Sequence, residues 1–257
     1  MRTALVTGAS SGIGAEIARR LDSLGFRVIL TARRADRLEA LAAELENPAE
    51  IVTADLSKRE DCFRLYEQTK DKNVSVLVNN AGFGVIGDFD ETDLDREISL
   101  IDVNCTAVHI LTKLFLRDFV RKDRGYILNV GSSAGLMPGG PLMAAYYASK
   151  AYVVSLTRGI DEELRARGSR VSISVLCPGP VETEFNDVAN CDFAVKGIPA
   201  DYCAEYALKG LFGRKTVIIP GAGMRLGATA VKFAPGRIVM KAAHSMQSKK
   251  LTDKEES

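Results

Sequence analysis

TALVTGASSGIGAEIARRL, residues 3–21, decides the fold. The stretch opens on a short apolar, β-rich run and turns through glycines and serines at TGASSGIG, residues 7–14. It continues with the apolar spacing of a helix from about Gly12 to Leu24. Glycines in such a turn let the backbone bend sharply and approach a phosphate closely. The N-terminus of the following helix adds unbonded amides and the positive end of its dipole. A strand, a glycine turn and a helix in this order make a dinucleotide cradle. Gly8, Ser10, Ser11, Gly12, Ile13 and Gly14 would form it.

Outward from this unit the same rhythm repeats. RVILTA leads into a helical pattern over about 35–46, and IVTAD into one over about 58–70. VSVLVNN ends in a glycine-rich turn before a long helical region over about 94–121. GYILNVG is followed by a loop and a helix over about 146–167, and RVSISVLCPG and KTVIIPG flank a helical stretch near 201–212. About seven β-rich runs alternating with helices predict a single α/β domain, residues 1–221, with a mostly parallel sheet covered on both faces. The stretch from about 184 to 199 has no clear period and reads as a lid loop. Residues 222–257 read as a basic amphipathic extension of two short helices divided at Pro235-Gly236. Its expected role is packing on the domain or on a second subunit, and its alternative role is contact with anionic lipid.

Composition excludes several classes. Lys and Arg number 34 against 33 Asp and Glu, so nothing favours a nucleic-acid partner. No apolar run approaches the ~20 residues of a membrane span. The five cysteines are odd in number and lack CxxC spacing, the usage of a reduced, cytoplasmic protein. His109 and His244 lie far apart with no ligand cluster beside them, so no metal is expected.

The end of the second strand selects the dinucleotide. A carboxylate there would bind the adenosine ribose and repel a 2′-phosphate. The sequence instead reads TARR, with Arg33 and Arg34. Guanidinium groups suit a phosphate through bidentate, charge-assisted bonds, so NADP(H) is expected, with Arg33 on the 2′-phosphate.

AAYYASKAY, residues 144–152, offers a proton donor. At about 100° per residue, Tyr146, Lys150, Val153, Thr157, Ile160 and Leu164 fall on one stripe, which should face the sheet. The stripe through Tyr147, Ala151, Val154, Arg158, Asp161 and Arg165 becomes charged and should face outward or meet a partner. Tyr146 and Lys150 therefore meet at i, i+4, where an ammonium favours the phenolate and fits the tyrosine for acid–base work.

These motifs together resemble the short-chain dehydrogenase/reductase family. TGxxxGxG, Asp55, NNAG at 79–82, Asn104, the YxxxK of Tyr146 and Lys150, and PGPVET at 178–183 occur in that family's order and near its separations. The resemblance implies a Rossmann-like doubly wound sheet, a hydride exchanged between NADP(H) and a carbonyl or secondary alcohol, and a homodimer or homotetramer. It places Asp55 and Leu56 at the adenine, and Asn80, Ala81 and Gly82 beneath the adenosine ribose. Pro178, Gly179, Val181 and Thr183 fall at the nicotinamide, and Lys150 on its ribose. Asn104 resembles the asparagine of the proton relay. The strand register and Gly135 align Ser132 with the family's catalytic serine, whereas counting thirteen back from Tyr146 selects Ser133; one extra residue in LMPGGPLMAA reconciles the two. Ser11 stands where many NADP-preferring relatives carry a basic residue. The apolar composition of the lid favours an apolar or bulky carbonyl, ketosteroid-like or oxoacyl.

Two other readings start from the same residues. GASSG at 8–12 and GSSAG at 131–135 fit the nucleophile elbow of a serine hydrolase, which would also need a histidine at the site. A cofactor sensor without turnover would keep the glycine turn alone.

Overall fold

The computed structural model describes residues 2–184 and 197–255. Seven strands form one sheet: β1 (Thr3–Thr7), β2 (Arg27–Thr31), β3 (Glu50–Ile51), β4 (Val74–Asn79), β5 (Tyr126–Val130), β6 (Ser172–Leu176) and β7 (Val217–Ile218). They lie in the order β3-β2-β1-β4-β5-β6-β7, and every pairing is parallel. The chain builds outward from β1 to one edge and then returns to build the other half from β4. That reversal opens a crevice at the carboxyl ends of β1 and β4.

The side chains of β1 show why this sheet is buried on both faces. Ala4 and Val6 pack with Ile17 and Leu21 of α1 (Gly12–Ser23), Leu38 of α2 (Ala35–Glu44) and Leu208 of α7 (Ala200–Phe212). Leu5, between them, points the other way. It joins Leu65 of α3 (Arg59–Thr69), Phe115 of α5 (Val108–Lys122) and Leu164 of α6 (Ala144–Ala166). Two-residue alternation with both faces covered requires the continuous apolar runs of the sequence. Helix boundaries fall within about two residues of expectation. The second helix stops at Glu44 because the Asp22 carboxylate accepts the Glu46 and Asn47 amides and draws the chain away.

The region expected as one long helix is continuous from Leu94 to Lys122, but α4 (Leu94–Ile101) and α5 are joined by a π-helical turn, Asp102–Ala107. By length and composition this 29-residue helix could cross a membrane, contrary to the expectation that no apolar run comes near that length. Here it is a core helix: Leu111, Phe115 and Phe119 are buried against the sheet.

The extension also differs from expectation. It forms α8 (Ala222–Ala230), a short 3-10 turn (Val231–Phe233) and α9 (Gly236–Glu255). The break at Pro235 is where the sequence places it, but α9 is 20 residues long rather than short. Val239, Ala243 and Gln247, spaced one turn apart, bury one face of it. Most of the expected lid, residues 185–196, lies outside the described residues. Its two ends are joined, with the Ile198 amide donating to the Pro180 carbonyl and the Glu182 amide to the Ile198 carbonyl.

Candidate active site

A cleft of about 630 Å³ runs across the carboxyl edge of the sheet. At one end the turn after β1 is bound to the turn after β4. The Thr7 hydroxyl accepts the amides of Asn80 and Ala81 at 3.0 and 3.2 Å, and the Asn80 side-chain amide donates to the carbonyls of Thr7 and Gly8, each at 3.0 Å. Gly8 has φ +64°, a left-handed conformation that favours glycine. Gly14 is required by closeness instead: a Cβ there would lie 2.3 Å from the Gly8 carbonyl oxygen and 2.4 Å from the Asn80 amide nitrogen. These contacts hold the N-terminus of α1 open toward the cleft, which is the arrangement a pyrophosphate needs.

Of the residues singled out from sequence, Gly8, Ser10, Ser11, Gly12, Ile13, Arg33, Asp55, Leu56, Asn80, Ala81 and Gly82 line this cleft. So do Ser132, Tyr146, Lys150, Pro178, Gly179, Val181 and Thr183. Gly14 and Asn104 do not. Gly14 lies behind Gly8. Asn104 is fully buried in the π-helical turn, its Oδ1 accepting from the Phe83 amide at 3.1 Å and its Nδ2 donating to the Phe83 carbonyl and the Ser149 hydroxyl, each at 3.0 Å. A Cβ on Gly82 would sit 2.9 Å from Asn104 Oδ1 and 3.2 Å from Lys150 Nζ, so only glycine leaves room for both polar groups beneath this turn. Wide π turns recur at functional positions because they aim a side chain that a regular helix cannot.

Lys150 is buried in the cleft. It is 4 % exposed, its Nζ donates to the Val130 carbonyl at 3.0 Å and lies 5.7 Å from the centre of the Tyr146 ring. Burial lowers its pKa from 10.5 to about 8. Cys105 and Cys177 lie near, but burial pushes both thiols up, Cys177 to about 12, so they stay neutral and give the ammonium no counter-charge. Ser132 is the extended residue after β5 and its Oγ accepts the Ala134 amide at 3.1 Å, while the Ser133 amide donates to the Pro178 carbonyl at 2.8 Å. Both serines line the cleft.

The stripe of Tyr146 is inward as expected, with Lys150, Val153, Thr157 and Leu164 buried. The neighbouring stripe is turned away only in part, at the exposed Arg158 and Arg165. Val154 and Asp161 on it are buried, and Tyr147 lines the same cleft, its ring centre 6.3 Å from that of Tyr146. Gln247 of α9 donates to the Tyr147 hydroxyl at 2.9 Å, whereas Val154 packs with Val175 and Cys177, and Asp161 accepts from the Thr216 hydroxyl at 2.6 Å.

Sequence reasoning also missed what Arg34 does. Its guanidinium lies 3.1 Å from the Ser10 hydroxyl and 3.2 Å from that of Ser11, so it occupies the position where Ser11 lacks a basic side chain. Arg34 also pairs with Glu184 at 3.1 Å, and Arg37 pairs with the other carboxylate oxygen. The Arg37 and Arg34 guanidiniums hold the Glu184 pKa below its ordinary value. No local motif announces these pairings, because Glu184 is distant from both arginines in the chain. The Met137, Met143, Met224 and Val231 side chains on the cleft wall were likewise invisible before the fold was known.

No histidine lines the cleft among the described residues. His109 is bonded to the Tyr152 hydroxyl at 2.6 Å in a separate cavity, and His244 is exposed on α9, so neither GxSxG match is completed to a hydrolase triad.

A seven-stranded parallel sheet with a glycine turn and a buried lysine–tyrosine pair at its carboxyl edge defines an oxidoreductase scaffold, and the profile of the short chain dehydrogenase family matches residues 2–192. The chain belongs to that family and is an oxidoreductase acting on CH–OH groups. It is 33% identical over 194 residues to the 3-oxoacyl-acyl-carrier-protein reductase of Rickettsia prowazekii, covering 74% of this chain and 76% of the relative. It is 32% identical over 231 residues to the very-long-chain 3-oxoacyl-CoA reductase of Anas platyrhynchos, covering 86% and 73%. A short-chain dehydrogenase from Sphingobium yanoikuyae, solved in complex with NADPH, superposes with a TM-score of 0.81 at 32% identity, covering 90% of this chain and 92% of the other.

Proposed function

We propose that the protein uses NADPH to reduce an apolar or bulky ketone, of the oxoacyl or ketosteroid-like kind, to a secondary alcohol. The observation that carries this reading is Lys150, a buried ammonium between Val130 and the Tyr146 ring in a cleft whose other end is the glycine turn. The residues present fit the cofactor. A Cβ at Gly8 or Gly14 would strike the facing turn and break the cradle, and two arginines line the cleft at the end of β2. The likeness to an NADPH complex supports the same choice. Gly8, Ser10, Ser11, Gly12, Ile13 and Gly14 would hold the pyrophosphate, Arg33 and Arg34 the 2′-phosphate, Asp55 and Leu56 the adenine, Asn80, Ala81 and Gly82 the ribose, and Pro178, Gly179, Val181 and Thr183 the nicotinamide.

When bound, the nicotinamide supplies the hydride. Tyr146 donates its phenolic proton to the carbonyl oxygen as charge develops there, and Ser132 holds that oxygen by a hydrogen bond. Lys150 favours the resulting phenolate by its charge. Asn104, beside Lys150 across Gly82, would hold a water of the relay that leads to Lys150 and restores the Tyr146 proton. The apolar wall of Met137, Met143, Met224 and Val231 excludes water and supports a bulky apolar substrate. A panel of ketones, aldehydes and secondary alcohols with NADPH and NADH, followed at the nicotinamide absorbance, tests the reading. Turnover of apolar ketones with NADPH is expected. Tight NADPH binding without turnover of any carbonyl would favour the sensor instead.

Assembly and placement belong to the same proposal. Exposed Phe63, Ile101 and Tyr152 surround a second cavity of about 660 Å³ between α3, α5 and α6, which supports pairing of two copies as a homodimer or the building of a homotetramer there. Light scattering would give the mass. The free thiols Cys62, Cys105, Cys177 and Cys203 suit the cytoplasm. The extension, residues 222–257, is read as a wall of the site rather than a separate domain. A second role on lipid is favoured by one observation: Leu226, Phe233 and Ile238 lie exposed beside Arg225, Arg237 and Lys241. Co-sedimentation with anionic vesicles tests it.

A further inference from the structure

The cleft contains a polar pair that the proposed reduction does not use. Gln247, from α9, is 5 % exposed and lines the cleft with Tyr147. One end of its amide, Nε2, donates to the Tyr147 hydroxyl at 2.9 Å. The other end, Oε1, is buried with no hydrogen-bond partner. A buried amide oxygen left unpaired costs free energy, and a folded chain seldom carries one without a purpose. Burial also pushes the Tyr147 pKa up, so this phenol keeps its proton. Having accepted from Gln247, it still has that proton to give. A donor and an acceptor thus stand side by side among methionine and valine side chains. A hydroxyl satisfies both at once, accepting from Tyr147 and donating to Gln247 Oε1. Neither an ether nor a hydrocarbon can do so.

We propose that Tyr147 and Gln247 form a second recognition point for a substrate hydroxyl remote from the reacting carbonyl, so that the preferred substrate is an apolar hydroxy-ketone. The proposal rests on the carbonyl-reductase reading and names its substrate class more narrowly. The ring centres of Tyr146 and Tyr147 are 6.3 Å apart, which puts the second point close to the first and fixes the substrate's orientation by two polar contacts rather than one. It also gives α9 a task in specificity, since Gln247 is the polar group that α9 contributes to the cleft.

The test is calorimetric binding of straight-chain 2-ketones of graded length, each ending in a hydroxyl, a methyl ether or a methyl group. The whole protein is used, with and without NADP+, which cannot reduce a ketone. For at least one chain length the hydroxyl-ended ketone should bind about tenfold more tightly than the other two. Gln247→Leu and Tyr147→Phe should each erase that preference. Both should leave the methyl-ended ketone and NADP+ within about twofold of the parent protein, and the double variant should lose no more than either single one. Tyr147→Phe keeps its ring and covers the case in which Gln247→Leu disturbs α9. Equal binding of the three end groups at every length would overturn the proposal. So would a hydroxyl and a methyl ether that bind alike, or variants that weaken all ketones equally. Hydroxyl-selective binding without NADPH-dependent turnover would leave this recognition point standing and remove the reductase reading. Turnover of ketones without any hydroxyl preference would do the reverse.

Discussion

The two ends of the cleft are made from different materials. The cofactor end is mostly backbone: the turns after β1 and β4, the N-terminus of α1, and glycines that must be glycine because Gly8 has a positive φ and Gly14 has no room. The substrate end is side chain. Met137, Met143, Tyr147, Met224 and Gln247 arrive from separate elements, two of them beyond the last strand. A backbone-built site depends on conformations that few residues allow, so it leaves a short, readable motif. A side-chain-built site depends on which helices happen to meet, and a methionine or glutamine at helical spacing reads the same whether it meets substrate or core.

The largest expected effect keeps the two ends separate. Tyr146→Phe should lower turnover by about 10³-fold, within the range for losing a general acid, while NADPH affinity measured by nucleotide fluorescence stays within about twofold. A matching loss of NADPH affinity would mean that the tyrosine belongs to the cofactor end. Lys150→Met should also abolish turnover, yet make the protein more stable. The Lys150 pKa of about 8 lies below its ordinary 10.5, so between these values the unfolded chain binds more protons than the folded one. Stability of the parent protein therefore rises with pH across that window, and the full cost of burying the charge is present below it. The gain from Lys150→Met should be at most about 3 kcal/mol below pH 8 and fade toward pH 10.5, read from urea unfolding curves.

Removing α9, residues 236–257, should strike one end only. The midpoint of thermal unfolding should drop by several degrees because the buried Val239 and Ala243 are lost, and KM for a bulky ketone should rise about tenfold because Gln247 leaves the wall. NADPH affinity should hold. The arginines test the other end, and the smallest effect belongs to their acidic partner. Arg33→Ala and Arg34→Ala should each weaken NADPH more than NADH, by roughly 1.5–3 kcal/mol if the contact to the 2′-phosphate is charge-assisted. Glu184→Gln should tighten NADPH by a few fold and leave NADH unchanged, since the carboxylate now pairs with Arg34 and Arg37, and that surface pair is weak. Equal changes for both nucleotides would remove the arginines from the 2′-phosphate.

The legibility of the sequence follows the same division. The continuous apolar runs and the TGASSGIG turn announced the sheet because both are local. The Tyr146–Lys150 spacing was readable because i, i+4 neighbours must meet on a helix. The same helix-phase reasoning misjudged Tyr147, since it had no means of knowing that Gln247, far along the chain, bonds to its hydroxyl. Asn104 was found, but its π-helical turn was not, because DVNCTA carries no glycine or proline to mark an irregular turn. The Arg34–Glu184 pair joins residues far apart in the chain and has no local signature at all.

The arrangement has a consequence in time as well as in space. Strands β1 to β4 and the turns proposed for the adenosine half of the dinucleotide lie within residues 3–82, whereas the last helix to reach the proposed substrate end is α9, Gly236–Glu255. A ribosome adds about 5–20 residues per second. The first half of the sheet is contiguous both in sequence and in space, so it can pair while the remainder is still being translated. The growing chain would acquire a grip on the adenosine half of its cofactor many seconds before the substrate end is complete. Nucleotide in the surrounding solution would then act on the nascent protein as a folding ligand, and reactivity toward a carbonyl would be the last property the molecule gains.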